Sequence, residues 1–351
     1  LLGAPFVFSP SQTSALSTTV IFAMVGMSLL VLTGWAGQVS LGQFGFAAVG
    51  GYVAAVSGLP FLPALLLGAL AGAVVAVAVG IPALRLQGLT LAVSTLAFAA
   101  SVLAVLLNPD QLGRFLPDSV NRPLLFGISL DSQRAFYYVS LVLLALIVLA
   151  VAGLRRSRTA RVLIAARDNE PAAQSFGISL LQARLSAFAV SGFIAALAGA
   201  LFAYQQGNVA ADGFSVEKSL LLFTYTVIGG LGSLAGPLVG FGALAIVTLA
   251  TPSPSVTALI NGAGGIALLL LAPGGLAQLG YDLRDGLLRR IARRSGITVS
   301  SYDTGEPAGI APISPRTGPG GSAVFVPQHY ALDDQWAATP EARAAVDVTR
   351  G

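Results

Sequence analysis

The chain has 351 residues, of which 55% are hydrophobic and 10% are charged, and its formal net charge is +4. Soluble domains carry about 25% charged residues, so this chain has too few charges to cover a surface in water, and lipid is its predicted solvent. It contains no cysteine and a single histidine, His329, which excludes disulfides, thiolate nucleophiles and a Cys- or His-based metal site.

Nine apolar runs follow one another along the chain, and each is predicted to cross a membrane, since a spanning helix needs roughly 20 mostly apolar residues. A signal peptide would occur once, at the N-terminus, whereas these runs repeat. They cover residues 15–33, 43–57, 61–81, 89–107, 135–154, 185–204, 219–231, 237–250 and 256–272. The fold class is therefore an all-α polytopic membrane bundle. Because the first residue is Leu1 rather than Met, we also expect one further helix before it.

Basic residues set the expected orientation. The loop 155–184 carries six arginines and the segment 282–294 carries five more, and short loops rich in Lys and Arg stay in the cytoplasm. Four runs separate the two segments, so both fall on the same side. The predicted location is the cell (plasma or inner) membrane, with the loop and the C-terminus cytoplasmic. Arginines at the ends of apolar runs also explain the positive charge without a nucleic-acid partner.

Composition changes at about residue 295. Residues 1–294 form the predicted membrane domain, and residues 295–351 are rich in Gly, Pro and Ser without a helical period. Such a composition predicts a flexible tail or linker.

Several chemistries are excluded. The single lysine, Lys218, is not preceded by the glycines of a phosphate-binding loop, so no nucleotide is hydrolysed by this chain and no cofactor or catalytic residue is expected. The predicted spans hold no carboxylate of the kind that ion-coupled carriers use. The remaining functions are a membrane pathway or a scaffold, with the energy supplied from outside this chain.

The stretch "ARDNEPAAQSFGIS" (166–179) predicts a short helix in the arginine-rich loop. Asn169 is a suitable N-cap, Glu170 meets the positive end of the helix dipole, and Gly177 can end the helix in the left-handed region. A small apolar face is expected from Ala172, Ala173 and Phe176. That face would either pack on the chain's own bundle or insert into a partner's groove.

Glycine-rich segments allow two interpretations. Small residues let helices approach closely in lipid, which is the expectation for residues 68–72 and 236–240. Residues 34–51 also contain Gln38, Ser40 and Gln43, which favours an interrupted helix that presents polar groups to a translocation path. Weaker candidates of the same kind are Thr224, Tyr225 and Ser233.

Three segments carry a family resemblance. The stretch 166–179, the stretch "LTGWAGQVSLGQFGFAAVGGYVAA" (32–55) and the stretch "TYTVIGGLGSLAGPLVGFGAL" (224–244) resemble, in the same order, motifs of branched-chain amino acid permeases of ABC importers. The resemblance extends over about residues 16–273. Pro171 departs from the E-A-A-x-x-x-G form of the loop motif and stiffens its first turn.

That resemblance implies a type II ABC importer permease-like fold, in which the loop helix couples to a separate ATPase through Glu170, Ala172, Ala173 and Gly177. It also implies two ATPase subunits, a homologous second permease and an extracytoplasmic binding protein that selects branched-chain or other hydrophobic amino acids. "AAVDVTRG" (344–351) resembles the opening strand of an ABC ATPase domain, so either a fused ATPase or a tail end follows the linker.

Other functions stay open. Related permeases with similar spans are expected to carry amides, urea or sugars. An ion-coupled secondary carrier would need carboxylates within its spans, and a membrane scaffold would not need the loop helix.

Overall fold

The structure is a computed structural model that describes residues 8–251 except 87, 109, 118, 121–123, 126, 127, 131, 211 and 212. Beyond them it describes residues 256, 260, 262, 263, 275–278, 280, 284, 285 and 288. Most of the predicted run 256–272 and of the arginine-rich segment 282–294, and all of the tail 295–351, therefore lie outside the described residues.

The described part of the chain is an all-α bundle, as the composition predicts. It also contains a two-residue antiparallel ladder, β1 (Leu124–Leu125) with β2 (Ile128–Ser129). The helices are α1 (Pro10–Leu29), α2 (Gln43–Val56), α3 (Phe61–Ala83), α4 (Leu89–Leu106), α5 (Gln133–Arg156), α6 (Arg158–Asp168), α7 (Glu170–Ser175), α8 (Leu180–Gln206), α9 (Val216–Gly229) and α10 (Ala235–Ala250). A π-helix (Leu30–Trp35) extends α1, and a 3₁₀ turn (Leu112–Phe115) follows α4.

The first eight predicted runs each coincide with a helix, but the helices differ in length. Five helices are long and apolar enough to cross a membrane: α1 with its π-helix, α3, α4, α5 and α8. By contrast α2, α9 and α10 have 14, 14 and 16 residues. At 1.5 Å per residue they extend about 21 to 24 Å, less than a hydrocarbon core of about 30 Å. The predicted crossings at these three runs stay predictions.

Two helices form the centre of the bundle. Each of them contains an 18-residue apolar stretch: 83% of this stretch is buried in α1 with its π-helix, and 72% is buried in α8. The helices α3, α4 and α5 instead leave large aliphatic side chains on their outer faces, such as Val74 and Leu149. In water such faces would be unfavourable, whereas in lipid they match their solvent.

Glycines allow the closest approaches between helices. A methyl group at Gly50 would meet the Ala196 carbonyl, and one at Gly199 would meet the Ala47 carbonyl, so α2 and α8 touch through their backbones. Gly72 lies equally close to Ala196. A similar contact joins α9 to α10 and involves Gly229, Gly236 and Gly240. Close packing is thus confirmed for the segments 68–72 and 236–240.

A matched pair of glycine substitutions tests this packing. Gly199→Ala is expected to destabilise the protein by about 1–3 kcal/mol, because the added methyl group overpacks the contact between α2 and α8. Gly242→Ala, on α10, meets no atom of another helix within 4 Å, so it should not lower stability and should slightly favour the helix. The measurement is the temperature at which half of the detergent-solubilised protein is lost from the monodisperse fraction. Equal midpoints for the two variants would contradict the packing assignment.

Candidate functional site

The loop helix, defined as α7 with its two caps (residues 169–177), begins at an N-cap of the expected kind. The Asn169 side chain accepts a hydrogen bond of 3.0 Å from the backbone N–H of Ala172. Glu170 occupies the first turn, where the helix dipole favours an acidic side chain. Pro171 also lies in the first turn, where its missing N–H leaves no helical bond unmade.

The end of the loop helix is a Schellman motif. The N–H of Ile178 donates to the Ala173 carbonyl at 3.2 Å, and the N–H of Gly177 donates to the Gln174 carbonyl at 2.9 Å. Gly177 has φ +74°, a conformation that costs other residues roughly 1 kcal/mol or more. Caps at both ends therefore hold a six-residue helix that would not persist alone in water.

The predicted apolar face of the loop helix is divided. Phe176 is 85% exposed, whereas Ala173 is only 4% exposed and Ala172 is half-buried. Neighbouring residues of a helix point about 100° apart, so Ala172 and Ala173 cannot present their side chains in one direction. Ala173 therefore packs within its own chain while Phe176 remains exposed, and coupling through these residues stays a prediction.

Two arginines attach the loop helix to the bundle. Arg184, in the first turns of α8, forms a 2.8 Å ion pair with Glu170, in which its side chain is 18% exposed. Arg167, at the end of α6, pairs with Asp168 at 2.8 Å and also donates to the backbone carbonyl of Gly34. Partly exposed pairs of this kind contribute at most about 1 kcal/mol each to stability, so their main effect is to fix the orientation of the loop helix on the bundle.

The predicted interruption is present after the first helix. The N–H of Ala36 donates to the Val31 carbonyl five residues back at 3.3 Å, which is π-helical spacing. Residues 36–42, here called the break, then have no regular helix or strand, and α2 begins at Gln43.

Hydroxyl groups from four other helices surround the start of α2. The N–H of Leu41 donates to Thr95 at 3.0 Å, and the N–H of Phe44 donates to Ser219 at 3.2 Å. These donors precede the first helical bonds and would otherwise be unpaired. The hydroxyl cluster comprises Ser28, Ser40, Thr95, Ser191 and Ser219.

Gln43 lies at the centre of this cluster. Its Oε1 accepts from the Ser28 hydroxyl at 3.1 Å, and its Nε2 donates to the Ser191 hydroxyl at 3.2 Å. Its side chain is thus bound to α1 on one side and α8 on the other, and Gln43 is 1% exposed. Ser191 is about 16 Å along α8 from Leu180, close to half of a hydrocarbon core.

The predicted path residues do not form one open channel in this conformation. Ser40 and Gln43 come together, but both are buried, and Gln38 is half-buried within the break. Thr224 and Tyr225 lie on α9: the Thr224 hydroxyl donates to the Leu220 carbonyl at 2.9 Å. Tyr225 is buried, with its ring 6.0 Å from that of Phe241. Among the described residues, the polar groups at the break hold helices together, and their part in a translocation path stays a prediction.

Sequence reasoning missed Ser28, Thr95, Ser191 and Ser219. Each is a lone hydroxyl in an apolar run, and such residues usually bond within their own helix, as Ser140 does with the Phe136 carbonyl at 2.9 Å. Ser28 and Thr95 also make such bonds, to the Val25 and Ala92 carbonyls at 2.6 and 2.9 Å. The sequence offers no signal for which hydroxyls contact a second helix in addition. Across the described residues, no three His, Cys, Asp or Glu side chains are grouped as a metal site would require.

A multi-pass bundle with an interrupted helix at its centre and a capped helix in its arginine-rich loop belongs to the class of membrane transport permeases. Residues 12–264 match the family model described as the permease component of branched-chain amino acid transport systems. The chain belongs to that family.

Individual relatives agree with this placement. The chain is 32% identical over 258 residues to the high-affinity branched-chain amino acid transport system permease protein LivM of Salmonella typhimurium, covering 65% of the chain and 61% of that protein. It is 31% identical over 258 residues to LivM of Escherichia coli, with the same coverage. The chain thus spans about three fifths of the curated relatives it matches.

A relative named for a different substrate is also similar to the chain. The autoinducer 2 import system permease protein LsrC of Enterobacter sp. is 29% identical over 239 residues, covering 64% of the chain and 66% of that protein. No solved structure matches the chain.

Two serine substitutions test the hydroxyl cluster. Ser191→Ala leaves the Gln43 amide without its partner on α8 and is expected to lower stability by about 0.6–1.7 kcal/mol, the range for hydrogen bonds between membrane helices. Ser140→Ala is the matched control, because that buried hydroxyl bonds within its own helix. The thermal midpoint in detergent is compared for both. A loss no larger for Ser191→Ala than for Ser140→Ala would contradict the role given to the cluster.

Proposed function

We propose that the chain is the membrane-spanning permease subunit of an ATP-driven importer. It translocates branched-chain or other hydrophobic amino acids that an extracytoplasmic binding protein delivers, and it works with two ATPase subunits and a homologous second permease. The observation that carries this proposal is the exposed side chain of Phe176 on a helix held rigid at both ends.

The exposure of the Phe176 side chain to water is energetically unfavourable. Full burial of a phenylalanine side chain is worth about 1.5–3 kcal/mol, and this one is 85% exposed beside the charged residues Arg167, Asp168 and Glu170. A loop that carries several arginines faces water rather than lipid. An exposed aromatic side chain on a preorganised helix is a suitable anchor for a hydrophobic pocket of a partner protein.

The energy source is expected outside this chain. Lys218 is the single lysine, and its ammonium donates to the Gly213 carbonyl at 2.9 Å, without a phosphate-binding loop around it. The acidic residues that the structure describes before position 282 lie in loops or at helix ends, so the described part of the chain offers no carboxylate within a span for ion coupling. Both facts favour a separate ATPase over an ion-coupled carrier.

The loop helix and the arginine-rich segments are assigned to the cytoplasmic side. Six arginines in residues 155–184 support that orientation under the positive-inside rule. A cytoplasmic loop helix would meet an ATPase, and the opposite face of the bundle would receive the binding protein.

The amino acid substrate is inferred from the similarity to the two LivM proteins, whose names specify branched-chain amino acids. A second candidate is autoinducer 2, the substrate that the name of LsrC specifies. The described spans carry charged side chains only near their ends, away from the middle where a zwitterion would be bound, so selection by the external binding protein fits either substrate.

Docking is tested by replacing the exposed aromatic anchor. Phe176→Ser is expected to reduce the ATPase retained on affinity-purified permease by about tenfold or more, since loss of a central anchor costs 2 kcal/mol or more. Phe115→Ser is the matched control: Phe115 is also an exposed aromatic, 54% accessible, but it lies in the connection between α4 and α5. Undiminished retention by Phe176→Ser would exclude the loop helix as the docking site.

Transport is tested in proteoliposomes that contain the permease pair and the ATPase, with binding protein outside. Uptake of labelled leucine is expected only with ATP on the side of the loop helix, because no gradient is available to drive it. Labelled autoinducer 2 serves as the competing solute. Leucine uptake that continues without ATP would reject the ATP-driven mechanism, and uptake of autoinducer 2 alone would select the second candidate.

A further inference from the structure

Arg167 makes contacts that the docking proposal does not use. Its guanidinium donates both to the Asp168 carboxylate, at 2.8 and 2.9 Å, and to the backbone carbonyl of Gly34 in the π-helix. A methyl group at Gly37 would lie 2.7 Å from its Cγ, so the aliphatic stem rests directly on the backbone of the break. A residue two positions before the loop helix thus holds the point where the first helix ends.

The break has few regular backbone hydrogen bonds. Residues 36–42 have no helical or strand ladder, and their hydrogen bonds go largely to single side chains, such as Leu41 N–H to Thr95 and the Gln38 carbonyl to Thr33. Segments with few regular bonds have low local stability and serve as hinges. Gly37, with φ +69°, relaxes the local backbone further.

A second connection joins the loop helix to the same place. Glu170 pairs with Arg184 at 2.8 Å, and Ser191 lies seven residues further along α8, about two turns away and on the same face. Ser191 bonds Gln43 at 3.2 Å. The loop helix is therefore linked to Gln43 along α8 on one side and through Arg167 and the break on the other.

We propose that Arg167 is a positioning residue that passes displacement of the loop helix to the break and so to Gln43. The inference rests on the proposed function, because it requires an ATPase that moves the loop helix. Displacement along α8 alone would shift Ser191 relative to a stationary Gln43. The contact of Arg167 with Gly34 and Gly37 makes the break move with the loop. The start of α2 then moves while it keeps its hydrogen bonds to the hydroxyl cluster.

A purely local role would predict something different. Arg167 lies in the last turn of α6, where a cation is favourable next to the helix dipole. In that case its replacement would weaken α6 slightly and would leave the response of the break to the ATPase intact. The two roles therefore predict the same small loss of stability but a different response of the break to the ATPase.

The absence of native cysteine permits a single-site reporter. Gln38→Cys places a thiol in the break at a side chain whose hydrogen bond to Ala36 is long, at 3.4 Å. The rate of maleimide labelling is measured on the complex with co-purified ATPase, without nucleotide and with a non-hydrolysable ATP analogue. With Arg167 present, the two rates are expected to differ about fivefold or more, as for a typical coupling between sites.

Three backgrounds carry the reporter. Arg167→Met is expected to retain the ATPase while the nucleotide-dependent change in labelling is lost and ATP hydrolysis no longer drives uptake. Arg167→Lys keeps a donor for the Gly34 carbonyl and should restore part of the change. Arg161→Met, at an exposed arginine on the same helix, is the matched control and should behave like the parent. Elution as one monodisperse complex confirms that each variant is folded.

Each outcome decides a different point. A nucleotide-dependent change that persists in Arg167→Met, or that is absent with Arg167 in place while uptake proceeds, would overturn the inference. Loss of the ATPase from Arg167→Met would also overturn it, since Arg167 would then belong to the docking surface. If the parent permease binds no ATPase at all, the proposed function fails instead.

Discussion

Backbone groups inside a bilayer have no water to bind, and this constraint determines how the bundle is built around its interrupted helix. Between the π-helix and α2 the chain has to supply partners for N–H groups that no helix satisfies. It does so with hydroxyls from neighbouring helices: Thr95 receives Leu41 N–H and Ser219 receives Phe44 N–H. Because those hydroxyls come from α4 and α9, the break is possible only when these helices are in place.

Close packing of glycines makes that arrangement possible. The contact of Gly50 and Gly199 with facing backbones brings α2 against α8 and places Ser191 within reach of Gln43 at 3.2 Å. In lipid, helices gain little from burying apolar surface against one another, so shape and hydrogen bonds determine which faces meet. The outer faces of α3, α4 and α5 need no such matching, and they keep large aliphatic side chains.

The water-facing part of the chain follows a different rule. There the loop helix is stabilised by its caps and by the Glu170–Arg184 pair, and its one large apolar side chain, Phe176, remains outside. The same loop contacts the membrane domain through Arg167 at Gly34 and Gly37. An exposed anchor on one side and a backbone contact with the break on the other are the arrangement expected of a part that receives force from a partner and passes it inward.

The sequence by itself determined the all-α class, the positions of eight helices within the described residues, and both caps of the loop helix. Those features depend on composition and on neighbouring residues: apolar run length, Asn169 before the helix and Gly177 after it. Only the tertiary structure decided that Ala173 faces inward and Phe176 outward, and that Gln43 is held by Ser28 and Ser191. Ser191 and Gln43 are 148 positions apart, and local pattern contains no information about which hydroxyl of which helix meets a given amide. That pairing arises from the close approach of helices, which depends on the whole bundle at once.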